Sequence, residues 1–217
     1  MGKVFSYDSP VWKFMGRLVD FVYLTLLWVV TSIPLFTIGA STATVYYITL
    51  KMADGQEEYL TRMYFKSFAR FFREATAVWL TVLAAGLVLA GDFYICARMQ
   101  SPAAVVLMSA FAVMAIVYLL TVMYVFPVTA YIRQTPAGYI KAAFFLAIRY
   151  FGWSLLMLVI FLCVALIGIF KFWPLLLAGV GLTAYLQSLI LRQIFKREAG
   201  LKGSPQEGQD GEAAELL

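Results

Sequence analysis

Thr31-Ser32-Ile33-Pro34-Leu35-Phe36-Thr37-Ile38-Gly39-Ala40-Ser41 is the stretch on which the fold turns. It lies inside residues 21–50, a run without a single Asp, Glu, Lys or Arg. A bilayer core about 30 Å thick takes roughly 20 helical residues, so this run is too long for one ordinary span. Pro34 removes a backbone donor and disfavours helix at the residue before it. Gly39 and Ser41 then offer a restart. The reading is a hairpin: one helix over about 19–33, a tight turn, and a shorter helix over about 39–53. At 1.5 Å per residue the second helix is only about 22 Å long.

Composition says why the surroundings are lipid. The 217 residues are 63% hydrophobic and 13% charged, against roughly 45–50% and about 25% in soluble domains. Mean hydropathy is +0.84. A water-soluble chain of this size has too little polar surface to cover so much apolar side chain. Further uncharged runs occupy 75–91, 102–132, 150–170 and 172–191. With the broken first run they predict an all-α, polytopic transmembrane bundle of six spans, near 19–33, 39–53, 75–95, 103–127, 150–170 and 173–191. Together these form a membrane domain over 1–198, followed by an acidic, disordered tail over 199–217 rich in Gly, Gln and Glu. The first run is too long for a signal-peptide core, and no clean cleavage motif follows it.

Charge selects the even count. With the N-terminus in the cytoplasm, six spans place fifteen of the seventeen Lys and Arg on the inner side, leaving only Arg98 and Lys171 outside. Five spans would turn a basic end or several basic loops outward, against the positive-inside bias. The expectation is therefore a multi-pass membrane protein with both termini on the cytoplasmic side. The sequence pI near 9.2 reports that orientation and not nucleic-acid binding.

The inner loop after the hairpin carries a pattern. Arg62, Lys66, Arg70 and Arg73 recur at steps of four, four and three, one helix face, while Leu60, Tyr64, Phe68, Phe71 and Phe72 fall on the other. This predicts a basic amphipathic interfacial helix over 56–74, suited to anionic lipid headgroups. Docking to a cytoplasmic partner and a lever role in a transport cycle are the two competing readings. The loop 133–149 looks like a weaker copy, Tyr139-Ile140-Lys141 repeating Tyr64-Phe65-Lys66.

Residues able to do chemistry are scarce. Histidine is absent, which removes the commonest general base and metal ligand. Cys96 and Cys163 stand apart in apolar runs, read as packed thiols. Asp20 and Asp92 sit near span ends, and every lysine lies at a boundary. No motif for phosphate, dinucleotide or metal-hydrolase chemistry occurs. The sequence thus predicts no catalytic residue, no cofactor and no metal. The densest polar-aromatic cluster is Thr37, Ser41, Tyr46 and Tyr47 among small residues, read chiefly as helix packing, with sugar stacking on tyrosine as the functional alternative.

The stretches Phe14-Met15-Gly16-Arg17-Leu18-Val19-Asp20, Ser32-Ile33-Pro34, Thr37-Ile38-Gly39-Ala40-Ser41 and Tyr46-Tyr47-Ile48-Thr49-Leu50-Lys51-Met52 resemble the YesL family. Ser67-Phe68-Ala69-Arg70-Phe71-Phe72-Arg73-Glu74-Ala75-Thr76 and Lys141-Ala142-Ala143 fit it as well. That family comprises small bacterial membrane proteins without an assigned activity, whose genes often lie beside those for carbohydrate uptake. The resemblance implies a non-enzymatic accessory role to a carbohydrate ABC importer or its sensors, and it supplies no site residues. A small solute permease for sugars is the alternative. The partners expected are an anionic bilayer and importer or sensor subunits, with self-association compatible and no nucleic acid.

Overall fold

The computed structural model describes residues 10–55, 59–99, 102–170 and 173–202, and every regular element among them is helical. Helix α1 covers Pro10–Thr31, α2 Ile38–Ala53 and α3 Leu60–Arg98. Helix α4 covers Pro102–Tyr131, α5 Pro136–Arg149, α6 Phe151–Phe170 and α7 Trp173–Lys202.

The hairpin forms where Pro34 asks for it. α1 stops at Thr31, Pro34 is extended at φ −74 and ψ 116, and a single 3-10 turn at Leu35–Thr37 leads straight into α2. The turn closes with Thr37 N donating to Pro34 O at 2.9 Å. Its tip turns Ile33, Leu35 and Phe36 outward, three apolar side chains that water would not hold. The tip meets α3 near that helix's midpoint, where Trp79 Nε1 donates to Leu35 O at 2.9 Å.

Two expectations change. The separate interfacial helix over 56–74 and the span over 75–95 are one continuous 39-residue helix, α3. No proline or glycine interrupts it before Gly86, and its buried row Met63, Ser67, Phe71, Ala75, Val78, Val82 passes the charge boundary at Glu74 without a break. A change in charge marks a change of solvent; it does not end a helix. The segment 133–149 is also more than a loop. Thr135 caps α5, its Oγ1 accepting from Gly138 N at 3.3 Å, and Pro136 opens it at the first turn, where a missing N–H costs nothing. The acidic tail from residue 203 onward lies outside the described residues.

Two described helices are long and apolar enough to cross a bilayer, α3 and residues 105–131 of α4. A third qualifies if α5 and residues 151–164 of α6, which meet at 99°, count as one broken span. Outward-facing Leu87, Val88, Val105, Val106, Val113, Leu155 and Leu162 give these helices an apolar exterior. Inside, α4, α5, α6 and α7 share a core around Tyr124, Val128, Tyr139, Met157 and Leu191. α1, α2, α3 and α7 share a second, around Leu24, Ile48, Tyr64 and Ala184. α1 crosses α7 at backbone contact: a Cβ on Gly181 would stand 2.6 Å from Phe21 O.

Candidate functional site

Four small residues let the hairpin seat on α3. Gly39, Ala40, Ala43 and Ala75 let α2 lie directly on α3, Ala40, Ala43 and Phe71 forming a small core of their own. On the other flank of the hairpin, hydroxyls take over. Thr31 Oγ1 lies 2.8 Å from Leu27 O, 2.9 Å from Ser41 Oγ and 2.7 Å from Tyr64 Oη. It can donate to the carbonyl and accept from the other two, which satisfies its donor and both lone pairs. Thr37 Oγ1 closes the turn against Thr31 O at 2.5 Å and Pro34 O at 2.6 Å. Thr37, Ser41 and Tyr64 are all buried.

Tyr46 belongs to a different network. Its hydroxyl donates to Gln187 Oε1 on α7, and Gln187 Nε2 donates to Met157 O on α6 at 3.3 Å. One turn further along α2, Thr49 Oγ1 bonds Ser188 Oγ at 2.7 Å. Tyr47 points elsewhere again, edge-on to Phe71 at 5.4 Å with Lys51 Nζ 5.2 Å from its ring centre. The four residues Thr37, Ser41, Tyr46 and Tyr47 therefore fall into three separate contacts of α2 and the turn that precedes it. The structure does not gather them into one site.

The other predicted set stays together. Arg62, Lys66, Arg70 and Arg73 are exposed along one side of α3, with Phe65 and Phe72 beside them. The opposite face is occupied: Tyr64 and Phe71 are buried, and Leu60 and Phe68 half-buried, against the rest of the chain. Phe72 is the exception, turning outward. What α3 offers a lipid or a partner is thus its basic side, not its aromatic stripe. At the C-terminal end of α2, Arg192 Nε binds Asp54 Oδ1 at 2.5 Å, tying α7 to the α2–α3 link.

Several contacts have no local signal. Tyr139, fully buried, donates to Glu74 Oε2 at 2.6 Å and fastens α5 to α3. Ser154 Oγ lies 3.0 Å from Tyr124 Oη and 3.0 Å from Tyr150 O, where α5 turns into α6. The repeat of Tyr64-Phe65-Lys66 at Tyr139-Ile140-Lys141 does point to Tyr139, since both tyrosines end fully buried with bonded hydroxyls. Cys96 is packed as expected; Cys163 instead is exposed on α6. Arg98 reaches Tyr94 Oη at 3.0 Å. Among the described residues, no three Cys, Asp or Glu come close enough to share a metal ion.

The hairpin, α2 and most of α3 are also where the chain meets known sequences. Residues 21–93 match a family described as protein of unknown function, DUF624. Over 148 residues the chain is 27% identical to the uncharacterised protein YesL of Bacillus subtilis strain 168, covering 66% of this chain and 69% of that protein. The chain is similar to YesL over that length. No solved structure matches it. The DUF624 match holds both the Gly39 contact and the basic side of α3, while Gln187 and Ser188 lie outside residues 21–93.

Proposed function

We propose that this YesL-like chain is a multi-pass protein of the bacterial cytoplasmic membrane that acts without catalysis, as an accessory or assembly component of a carbohydrate ABC importer. The single observation that carries the reading is how the interior polar side chains are used. Thr31, Ser41 and Tyr64 bond one another, Tyr46 bonds Gln187, Thr49 bonds Ser188, and Ser154 bonds Tyr124. Side chains paired helix to helix hold a bundle together and have little left to offer a solute. The features turned outward are cationic and aromatic, Arg62, Lys66, Arg73, Phe65 and Phe72, which suits docking at the inner face. The link to carbohydrate uptake comes from the family resemblance. In this reading there are six spans with both termini inside. The α1–α2 hairpin contributes an even number of crossings whether it traverses the bilayer or only enters it.

Purification from mild detergent is expected to bring importer subunits with the chain, and the K66E/R70E variant is expected to lose them while still inserting. A protein that stays solitary in both forms contradicts the proposal. The second reading, a sugar permease, draws on the 99° break between α5 and α6, since discontinuous helices line many transport sites. Sugar uptake into vesicles holding this protein alone would put that reading in place of the first.

A further inference from the structure

We infer that α5 lies flat in the membrane interface as a binding surface for anionic phospholipid headgroups. The inference needs only membrane residence, not the importer assignment. Its first support is direction. α5 meets α6 at 99°, and the outer side of α6 is apolar throughout its described part, with Leu155, Leu156, Val159, Phe161, Leu162 and Leu166 exposed. An element at right angles to a lipid-facing helix runs along the membrane plane. At 14 residues, α5 extends about 21 Å along it.

The second support is the partition of the α5 faces. Tyr139, Ala143, Leu146 and Ala147 are buried and hold the helix to the bundle, with the Tyr139–Glu74 bond as its fastener. The outward side carries Phe144, Phe145 and Ile148, 46%, 58% and 56% exposed. Phe151 continues that apolar surface onto α6. Three large apolar groups on one turn and a half of helix would be costly in water and are favourable among acyl chains.

Charge chooses the kind of lipid. Residues 133–149 contain Arg133, Lys141 and Arg149 and no Asp or Glu. Lys141 stands among the exposed Phe and Ile side chains, a position from which its four-carbon stem can rest on the apolar surface while the ammonium reaches a phosphate. Arg149 lies over the Phe145 and Tyr150 rings at 5.8 and 5.7 Å, so its guanidinium is held beside the same face. The aromatic stripe of α3 cannot take this role, because Tyr64 and Phe71 are already buried.

The test uses the full chain in vesicles of phosphatidylcholine, alone or with an equal part of phosphatidylglycerol. Single cysteines at 141, 144, 145 and 148, in a background with Cys96 and Cys163 replaced, carry nitroxide labels whose depth is read from oxygen and nickel-chelate accessibility. Labels at 144, 145 and 148 are expected at one shallow depth, shielded from nickel. A depth that grows steadily along the helix would make α5 part of a span, and free access to nickel would leave the face in water; either overturns the proposal. Lipid retained by the unlabelled protein gives a second readout that does not depend on the cysteine variants. Each of R133Q and K141Q, both at exposed positions, is expected to lower the preference for phosphatidylglycerol on the order of fivefold. An unchanged preference in the double variant overturns the anionic-lipid assignment.

Discussion

Gly39→Val is expected to abolish recovery of a monodisperse protein from mild detergent, and Gly39→Ala to lower its thermal aggregation midpoint clearly. A Cβ at this position would stand 2.5 Å from Trp79 Cβ and 2.6 Å from Ala75 O. Neither neighbour is the far end of a flexible side chain, so relief must come from moving the whole of α2 away from α3. That movement would also open the Trp79–Leu35 bond and the small core of Ala40, Ala43 and Phe71. Overpacking of this kind costs about 1–3 kcal/mol when the backbone can yield, and a β-branched residue here adds further atoms to the same clash. Gly91 supplies the control, because a methyl added there would meet nothing within 4 Å. Gly91→Ala should therefore leave the aggregation midpoint near that of the parent protein. Equal behaviour of the two alanine variants in a detergent size-exclusion assay would remove the α2–α3 contact from the explanation of the fold.

Gln187→Leu is expected to destabilise the bundle by about 1–2 kcal/mol. The buried amide accepts from Tyr46 on α2 and donates to Met157 O on α6, so one side chain joins three helices. Leucine fills most of the volume but leaves the Tyr46 hydroxyl without its acceptor. Removing that hydroxyl as well, in Tyr46→Phe/Gln187→Leu, should recover part of the loss, because the penalty for an unmet buried donor disappears with the donor. A double-mutant cycle on unfolding in detergent micelles reads the coupling directly. Strictly additive losses would mean that Tyr46 and Gln187 are not partners.

Much of the hairpin is legible because its signals are local. An uncharged run too long for one span and a proline in its middle leave few alternatives, and α1 and α2 end and begin within a few residues of where Pro34 and Gly39 place them. The basic side of α3 is legible for the same reason, since a 3.6-residue period fixes which side chains share a face. Its continuity is not. Lys66, Arg70 and Arg73 end the apolar run and so suggest an element boundary, yet the buried row from Met63 to Val82 shows that packing crosses that boundary unchanged. α5 carries a capping threonine and a first-turn proline, local signals that the apolar runs on either side overshadow. The polar cluster fails differently. Tyr46 and Gln187 are 141 positions apart, and no local pattern tells a tyrosine bound for α7 from one, Tyr47, that turns to Phe71.

The sidedness of the α2–α3 link tests the membrane arrangement most directly, because the basic side of α3, the Arg192–Asp54 pair and the position of both termini all depend on it. Tyr59, just before α3, and Met99, just after it, are both exposed, so a cysteine at either can report its side of the membrane. In intact cells, with the native cysteines replaced, an impermeant maleimide is expected to label a cysteine at 99 at once and a cysteine at 59 only after the membrane is opened. Labelling at 59 from outside intact cells would contradict the arrangement.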